Sequence, residues 1–345
     1  MTPFDDAMRR RLAPGSAAPL AVALSGGGDS LALLHLTMDW AERRGRPVVA
    51  FTVDHGLNAD SPSWTRAAGD AARAVGADWR ALRWEGPKPT SGVQARARAA
   101  RHALLAEAAR DAGARVLLMG HTADDIAEGE VMRRIDVRGL GRLREWSPSP
   151  AWPEGRGIFL LRPLLTVSRA ALRELLAGRG AVWLDDPANA DPRFARVRAR
   201  RSLEGSPPAG GGDTALDPAI PALARRITFS PGGVAVDRAI LLAAPAPVAK
   251  PVLAAALLCL SGSMRPPRGA ELERLLGLIA ESGVATLCGC RVDSTSDVVR
   301  LTREPGRRGV TTRPVDPADW AKARFEAACG LIADEASLAS RQGVR

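Results

Sequence analysis

Tyrosine is absent from the 345-residue chain, which carries eight tryptophans and six phenylalanines, so the phenol drops out of the candidate chemistry. Cysteine is scarce: Cys259, Cys288, Cys290 and Cys329 are the only four, and they form no C-x-x-C pair. The first 258 residues therefore hold no thiol nucleophile, disulfide or cysteine metal site, and the reducing cytoplasm is the expected compartment. No run approaches the ~18–20 consecutive apolar residues of a membrane span. The first twenty residues, with Asp5, Asp6 and three arginines, lack the apolar centre of a secretory signal. Lysine occurs at only a few positions, such as Lys88, Lys250 and Lys322, so arginine carries nearly all of the net charge of +10. An arginine-rich basic chain favours a polyanionic partner, because the planar guanidinium fork matches phosphate. The lysine-bearing phosphate loop G-x-x-x-x-G-K-[ST] is also missing, and the glycine cluster near the N-terminus does not fit G-x-G-x-x-G.

What is present begins with that cluster. Ser25-Gly26-Gly27-Gly28-Asp29-Ser30 follows the apolar run Leu20–Leu24 and precedes a helical pattern over Leu31–Arg43. Strand, glycine turn and helix start in this order make a phosphate cradle. Unpaired N–H groups at a helix N-terminus attract anions, and glycines let a polyphosphate approach the backbone. Ser25 and Ser30 offer hydroxyls, and Asp29 is a candidate Mg²⁺ ligand.

The first half alternates candidate strands (Leu20–Leu24, Pro47–Val53, Trp79–Trp84, Val116–Met119, Ile158–Leu161) with candidate helices (Leu31–Arg43, Ser63–Val75, Gln94–Ala112, Ala123–Arg134). This βαβ rhythm predicts an α/β fold, a doubly wound and mainly parallel sheet with its ligand site beyond the strands' carboxyl ends. A hydrophobic fraction of 46% supplies an ample core, and the length favours two domains. The reading places a catalytic domain at 1–204, a glycine- and proline-rich linker at 205–217 and a smaller α+β region at 218–345. In that region Arg268–Ser282 reads as a helix, and Ala285–Cys290 with Val298–Arg303 as a strand pair. Cys288 and Cys290 would then share a strand face as core thiols.

Further candidates fall at the predicted strand ends. Asp54-His55-Gly56-Leu57 follows the second strand and can line a nucleotide pocket. On the helix that opens at Gln94, Arg98 and Arg101 share a face and converge on phosphates or a carboxylate, whereas Arg96 points elsewhere. After the fourth strand, His121, Asp124, Asp125 and Glu128 crowd one helix start. Asp125 and Glu128 lie three apart and suit Mg²⁺ or an ammonium group, while Asp124 fits a helix cap. A run of Arg193, Arg196, Arg198, Arg200 and Arg201 carries no acid and would track an RNA backbone by charge.

Together and in this order these segments, with Arg162–Leu165, Arg169 and Trp183–Asn189, resemble bacterial tRNA(Ile)-lysidine synthetases of the PP-loop, or N-type ATP pyrophosphatase, superfamily. The resemblance spans about residues 18–203 and continues weakly through Thr286–Arg291 and Arg303-Glu304. It implies an adenine-nucleotide alpha hydrolase-like fold, ATP and Mg²⁺ as cofactors, and L-lysine and a CAU-anticodon tRNA(Ile) as partners. The implied reaction adenylates O2 of the wobble cytidine and ligates lysine to C2, shifting decoding from AUG to AUA. Under it Ser25, Gly26, Gly27, Gly28, Asp29 and Ser30 cradle ATP with Asp54, His55, Arg101 and His121 nearby. Asp29, Arg98, Asp125 and Glu128 act in catalysis, and the arginine run and the C-terminal region contact tRNA, in a possible homodimer. Departures from the family pattern are His102 for a usual Tyr, Ile126 and Gly129 for Gln and Thr, a short segment at 136–140, and Arg196-Val197 for Arg-Asn. A tRNA-thiolating relative is the alternative within the superfamily, but it needs a cysteine near ATP. A tRNA-binding protein that has lost catalysis is the alternative outside enzymes.

Overall fold

The computed structural model describes residues 2–135, 143–151, 154–185, 195–203, 216–230, 233–263, 266–304 and 317–341. It divides into two compact units, Met1–Thr214 with Asp334–Ala336, and Ala215–Ala333 with Ser337–Arg345. The expected linker at 205–217 lies outside the described residues up to position 215.

The first unit is built on a six-stranded sheet of β1 (Leu20–Ala23), β2 (Val48–Asp54), β3 (Asp78–Arg83), β4 (Val116–Met119), β5 (Trp146–Pro148) and β6 (Phe159–Leu161), in the order β3-β2-β1-β4-β6-β5. All neighbours pair in parallel except β5, which runs antiparallel to β6 at one edge. The central strands are buried on both faces, which is why they read as unbroken apolar runs. The expected doubly wound sheet is therefore the observed one. The three-residue edge strand β5, which ends in Pro148, carried no strand signal of its own.

Helices α2 (Gly28–Glu42), α3 (Ser61–Ala74), α4 (Val93–Asp111) and α5 (Ala123–Ile135) connect the strands within one to three residues of their expected bounds. An unexpected α1 (Pro3–Arg11) precedes them, closed by a capping box between Thr2 and Asp5. In register, Ala23 of β1 stands opposite Phe51 of β2 on one side and Met119 of β4 on the other. Strand order reverses between β1 and β4, so the segments leaving these two strands flank the topological switch point, the usual ligand crevice of such sheets.

The second unit carries an antiparallel sheet of β7 (Thr228–Ser230), β8 (Gly233–Asp237), β9 (Val284–Leu287), β10 (Cys290–Ser294) and β11 (Val298–Arg303), in the order β7-β8-β11-β10-β9. An apolar helix, Ala246–Ser261, contributes Val252, Leu253 and Leu257 to its core. The expected single strand 285–290 is instead broken by a turn, with Cys288 at φ +53° and Gly289 at φ +72°. Cys290 therefore starts a new strand and pairs with Arg303, and the two cysteines do not share a face. Burial pushes the Cys259 and Cys290 thiols up to about 12, and all four cysteines are free.

One buried ion pair in the first unit joins distant parts of the chain. Arg46 donates through Nη1 and Nη2 to the carboxylate of Glu335, and both side chains are 2% exposed. The remaining lone pairs of Glu335 accept from the Ala13 N–H and the Ser16 hydroxyl, each at 3.0 Å, while Arg46 Nε donates to the Ala18 carbonyl at 2.6 Å. A buried pair is favourable only when satisfied in this way, and removing one partner strands the other charge. Glu335→Ala is expected to cost about 3 kcal/mol in urea unfolding followed by tryptophan fluorescence, against about 1 kcal/mol or less if the pair behaved as a surface salt bridge.

Candidate active site

The glycine loop forms because Gly26 adopts φ +87°, a backbone state that glycine alone enters without strain. The first helical bond of α2 then runs from the Leu31 N–H to the Gly27 carbonyl at 3.0 Å. Ser25 and Ser30 hydroxyls sit 3.0 Å apart. Ser30 Oγ also accepts from the Ser25 N–H and donates to the Gly27 carbonyl, so the two serines brace the loop from within. No side chain caps the first turn of α2. Unpaired N–H groups at such a helix start suit an anion, as expected of a phosphate cradle.

Two other segments pack directly on this loop. Gly120, at the end of β4, approaches so closely that a Cβ there would meet the Asp29 carbonyl oxygen at 3.0 Å. On the other side Leu184 donates its N–H to the Gly26 carbonyl at 3.0 Å, and the Trp183 ring lies over Gly28. The sequence reading included 183–189 without giving Trp183 a role. Its partner is 155 residues away in the chain, and local pattern carries no sign of it.

The carboxylates converge on Arg169, the first residue of α6 (Arg169–Gly178), which is placed by the Ser168 N-cap. Arg169 Nε donates to Asp29 at 3.0 Å, Nη1 to Glu128 at 3.1 Å and Nη2 to Asp125 at 3.4 Å. Its backbone N–H donates to Asp124 at 2.8 Å, so Asp124 serves as a cap, but for α6 rather than for its own helix. Asp125 meanwhile accepts from the N–H and the hydroxyl of Thr122, which fixes the start of α5. Sequence reasoning missed Arg169 as the hub of these contacts. Its signal was only its inclusion in the family-like segment.

The arginine run behaves differently from expectation. Helix α7 (Ala195–Arg201) turns Arg196 and Arg200, four apart, toward α5. Arg196 binds Glu128 at 2.9 Å and Asp125 at 3.2 Å, and Arg200 binds Glu128 at 2.8 Å. These two arginines therefore neutralise site carboxylates, while their side chains stay 46% and 37% exposed. Glu128 is nearly fully buried, and a buried carboxylate needs such cations. Arg198 and Arg201 lie at other positions of α7, and Arg193 falls outside the described residues, as does the short segment at 136–140. Burial pushes the Glu128 carboxyl upward, but the Arg200 hydrogen bond and the charges of Arg169, Arg200 and Arg196 outweigh it and hold the pKa low. At Asp29 burial wins over Arg169, and nearby Asp125 adds to it, so that carboxyl is raised.

A second, purely basic group flanks this network. Arg98, Arg101 and His102 of α4 share one electrostatic neighbourhood with His121 and with Arg162, which follows β6. Burial first, then the neighbouring arginines, pushes Arg101 and Arg162 down to about 10 and His102 to about 2, and lowers His121 well below its ordinary value. Arg101 Nε, both ring nitrogens of His102 and His121 Nδ1 are buried without a hydrogen-bond partner among the described residues. Farther along, Asp54 accepts from the Gly56 N–H at 2.8 Å and from the Ser61 hydroxyl. His55 stands edge-on to Trp84, with Lys88 over the same indole at 4.4 Å. Among the described residues no group of three or more His, Cys, Asp or Glu side chains forms a metal site. Asp29 alone at the cradle fits the sparse protein ligation typical of Mg²⁺ carried on phosphates.

A glycine cradle at the β1 exit, lacking the lysine of other phosphate loops and facing an acidic cluster at the β4 exit, defines an ATP-binding protein of the PP-loop class. Residues 2–205 match the PP-loop domain family. The chain is 47% identical over 337 residues to a tRNA(Ile)-lysidine synthase of Caulobacter vibrioides, covering 96% of this chain and 78% of that protein. It is 39% identical over 313 residues to the Hyphomonas neptunium tRNA(Ile)-lysidine synthase, covering 84% and 82%, and 37% identical to that of Methylobacterium nodulans, covering 88% and 96%. The chain belongs to the tRNA(Ile)-lysidine synthase family.

Two outcomes follow from this geometry. Gly26→Ala forces a Cβ into φ +87° and to 2.8 Å from Leu184 Cδ1, and calorimetry should show ATP affinity reduced by about tenfold or more. Because the fold lowers the Glu128 pKa, ionised Glu128 stabilises the protein above the ordinary glutamate range. That contribution disappears as pH falls through the lowered value. Glu128→Gln should therefore cost about 2 kcal/mol in chemical unfolding at neutral pH, and the gap to the parent protein should close under acid.

Proposed function

We propose that this protein is a tRNA(Ile)-lysidine synthetase that uses ATP to attach L-lysine to the wobble cytidine of a CAU-anticodon tRNA(Ile). The observation that supports this reading is the Arg169 junction, which holds Asp29 of the glycine loop together with the carboxylates of Asp125 and Glu128.

The cytidine O2 attacks the α-phosphorus of ATP and diphosphate leaves. The lysine side-chain amine then attacks C2, and AMP departs with O2. In this scheme the loop Ser25–Ser30 holds the phosphates through the N–H groups of α2. Asp29 would hold Mg²⁺, which would supply charge neutralisation at the phosphates. Asp125 and Glu128 receive the lysine ammonium, which takes the place of Arg196 or Arg200 at Glu128. A carboxylate of this pair also accepts the proton that the amine must lose before it attacks. The buried, unpartnered donors of Arg101, with Arg98 beside it, suit the lysine carboxylate or a phosphate. Asp54, His55 and His121 complete the nucleotide side. Arg193, Arg198 and Arg201 and the region from 218 onward contact the tRNA, in a cytoplasmic protein that can act as a homodimer.

The direct test supplies purified protein, ATP, Mg²⁺ and labelled lysine to a CAU-anticodon tRNA(Ile) transcript. Label enters the tRNA, is lost when the wobble cytidine is replaced, and falls at least about a hundredfold in Asp125→Ala, a barrier change of ~2.7 kcal/mol. Tight tRNA binding without label would instead identify a binding protein.

A further inference from the structure

The glycine cradle lacks a lysine, yet splitting ATP between its α- and β-phosphates leaves a highly charged diphosphate that needs a cation. Three arginines at the site already hold carboxylates, and Arg98 and Arg101 belong to the buried basic group on α4. Arg169 is divided among Asp29, Asp125 and Glu128, and Arg196 and Arg200 are bound to Glu128. Arg173 differs. It stands four residues after Arg169 on α6, on the same helix face. Its contacts among the described residues are loose: Nη2 lies 3.9 Å from Asp185, with the two side chains 50% and 76% exposed, and the guanidinium carbon lies 5.8 Å from the Trp183 ring centroid. Both distances sit at the outer edge of an effective interaction. The indole that Arg173 approaches covers Gly28 at the head of α2, and its charge is felt at Asp29, inside the cradle.

We propose that Arg173 is a diphosphate-binding residue, releasing Asp185 and Trp183 to donate to the β- and γ-phosphate oxygens of ATP and to the diphosphate that leaves. This rests on the adenylation reading above. As the cytidine O2–phosphorus bond forms, the bond from the α-phosphorus to the α–β bridging oxygen breaks. That oxygen leaves with the electron pair on diphosphate, and Arg173 meets the charge without transferring a proton. Arginine suits the task because its donors are planar, paired and permanently charged.

The test titrates inorganic diphosphate with Mg²⁺ into the full-length parent, Arg173→Met and Arg173→Lys, and compares KM for ATP, lysine and tRNA. Arg173→Met keeps the stem and should weaken diphosphate binding and raise KM for ATP by about tenfold or more. KM for lysine and tRNA should stay within about twofold, and Arg173→Lys should recover part of the loss. Diphosphate affinity within about twofold of the parent in Arg173→Met overturns the proposal, as does a parallel loss of tRNA affinity, or a parent that binds no diphosphate. If the parent binds diphosphate but transfers no lysine, the lysidine reading fails, while the diphosphate titration still decides the role of Arg173.

Discussion

Everything at this site depends on one constraint, that the nearly fully buried carboxylate of Glu128 must be matched by cations. Arg169 supplies one and in doing so reaches Asp29 in the glycine loop and Asp125 one turn away on α5. Arg196 and Arg200 supply the others and draw α7 onto α5. A single network thus joins the phosphate cradle, the acidic helix start and the basic helix. Under the function proposed above, the carboxylates that now hold guanidinium cations are the ones that take the ammonium group.

The basic group of Arg98, Arg101, His102, His121 and Arg162 is the electrostatic complement of these carboxylates. Among the described residues no carboxylate is paired with this group, and several of its nitrogens are buried without a hydrogen-bond partner. An acidic group beside a basic one suits a zwitterion better than a simple anion, in keeping with the amino-acid substrate proposed above. At His102 of this group, burial and the charges of Arg98, Arg101 and Arg162 lower the pKa of the ring.

Much of the first unit was legible in the sequence because parallel strands buried on both faces leave uninterrupted apolar runs, and glycine turns punctuate them. The cradle was legible for the same reason: Ser25–Ser30 is contiguous, and its chemistry follows from strand, turn and helix in succession. The partnerships were not. Arg196 and Arg200 read as part of an outward basic stripe, since nothing within α7 shows that Glu128, 68 and 72 positions earlier, lies against them. Arg169 and Trp183 were hidden in the same way, with partners 41 to 140 residues away for Arg169 and on Gly28 for Trp183. In the second unit a local surprise was responsible. Cys288 is a non-glycine residue at positive φ, so the turn that splits the expected strand had only Gly289 to announce it.

The proposed function requires that the carboxylates now filled by arginines receive the substrate amine. The most direct measurement is a crystal structure of the full chain with L-lysine and a non-hydrolysable ATP analogue. The lysine ammonium is expected within hydrogen-bond reach of Glu128 or Asp125, with Arg196 or Arg200 displaced and Arg169 still bridging to Asp29. Lysine bound elsewhere, with both α7 arginines still on Glu128, would contradict it.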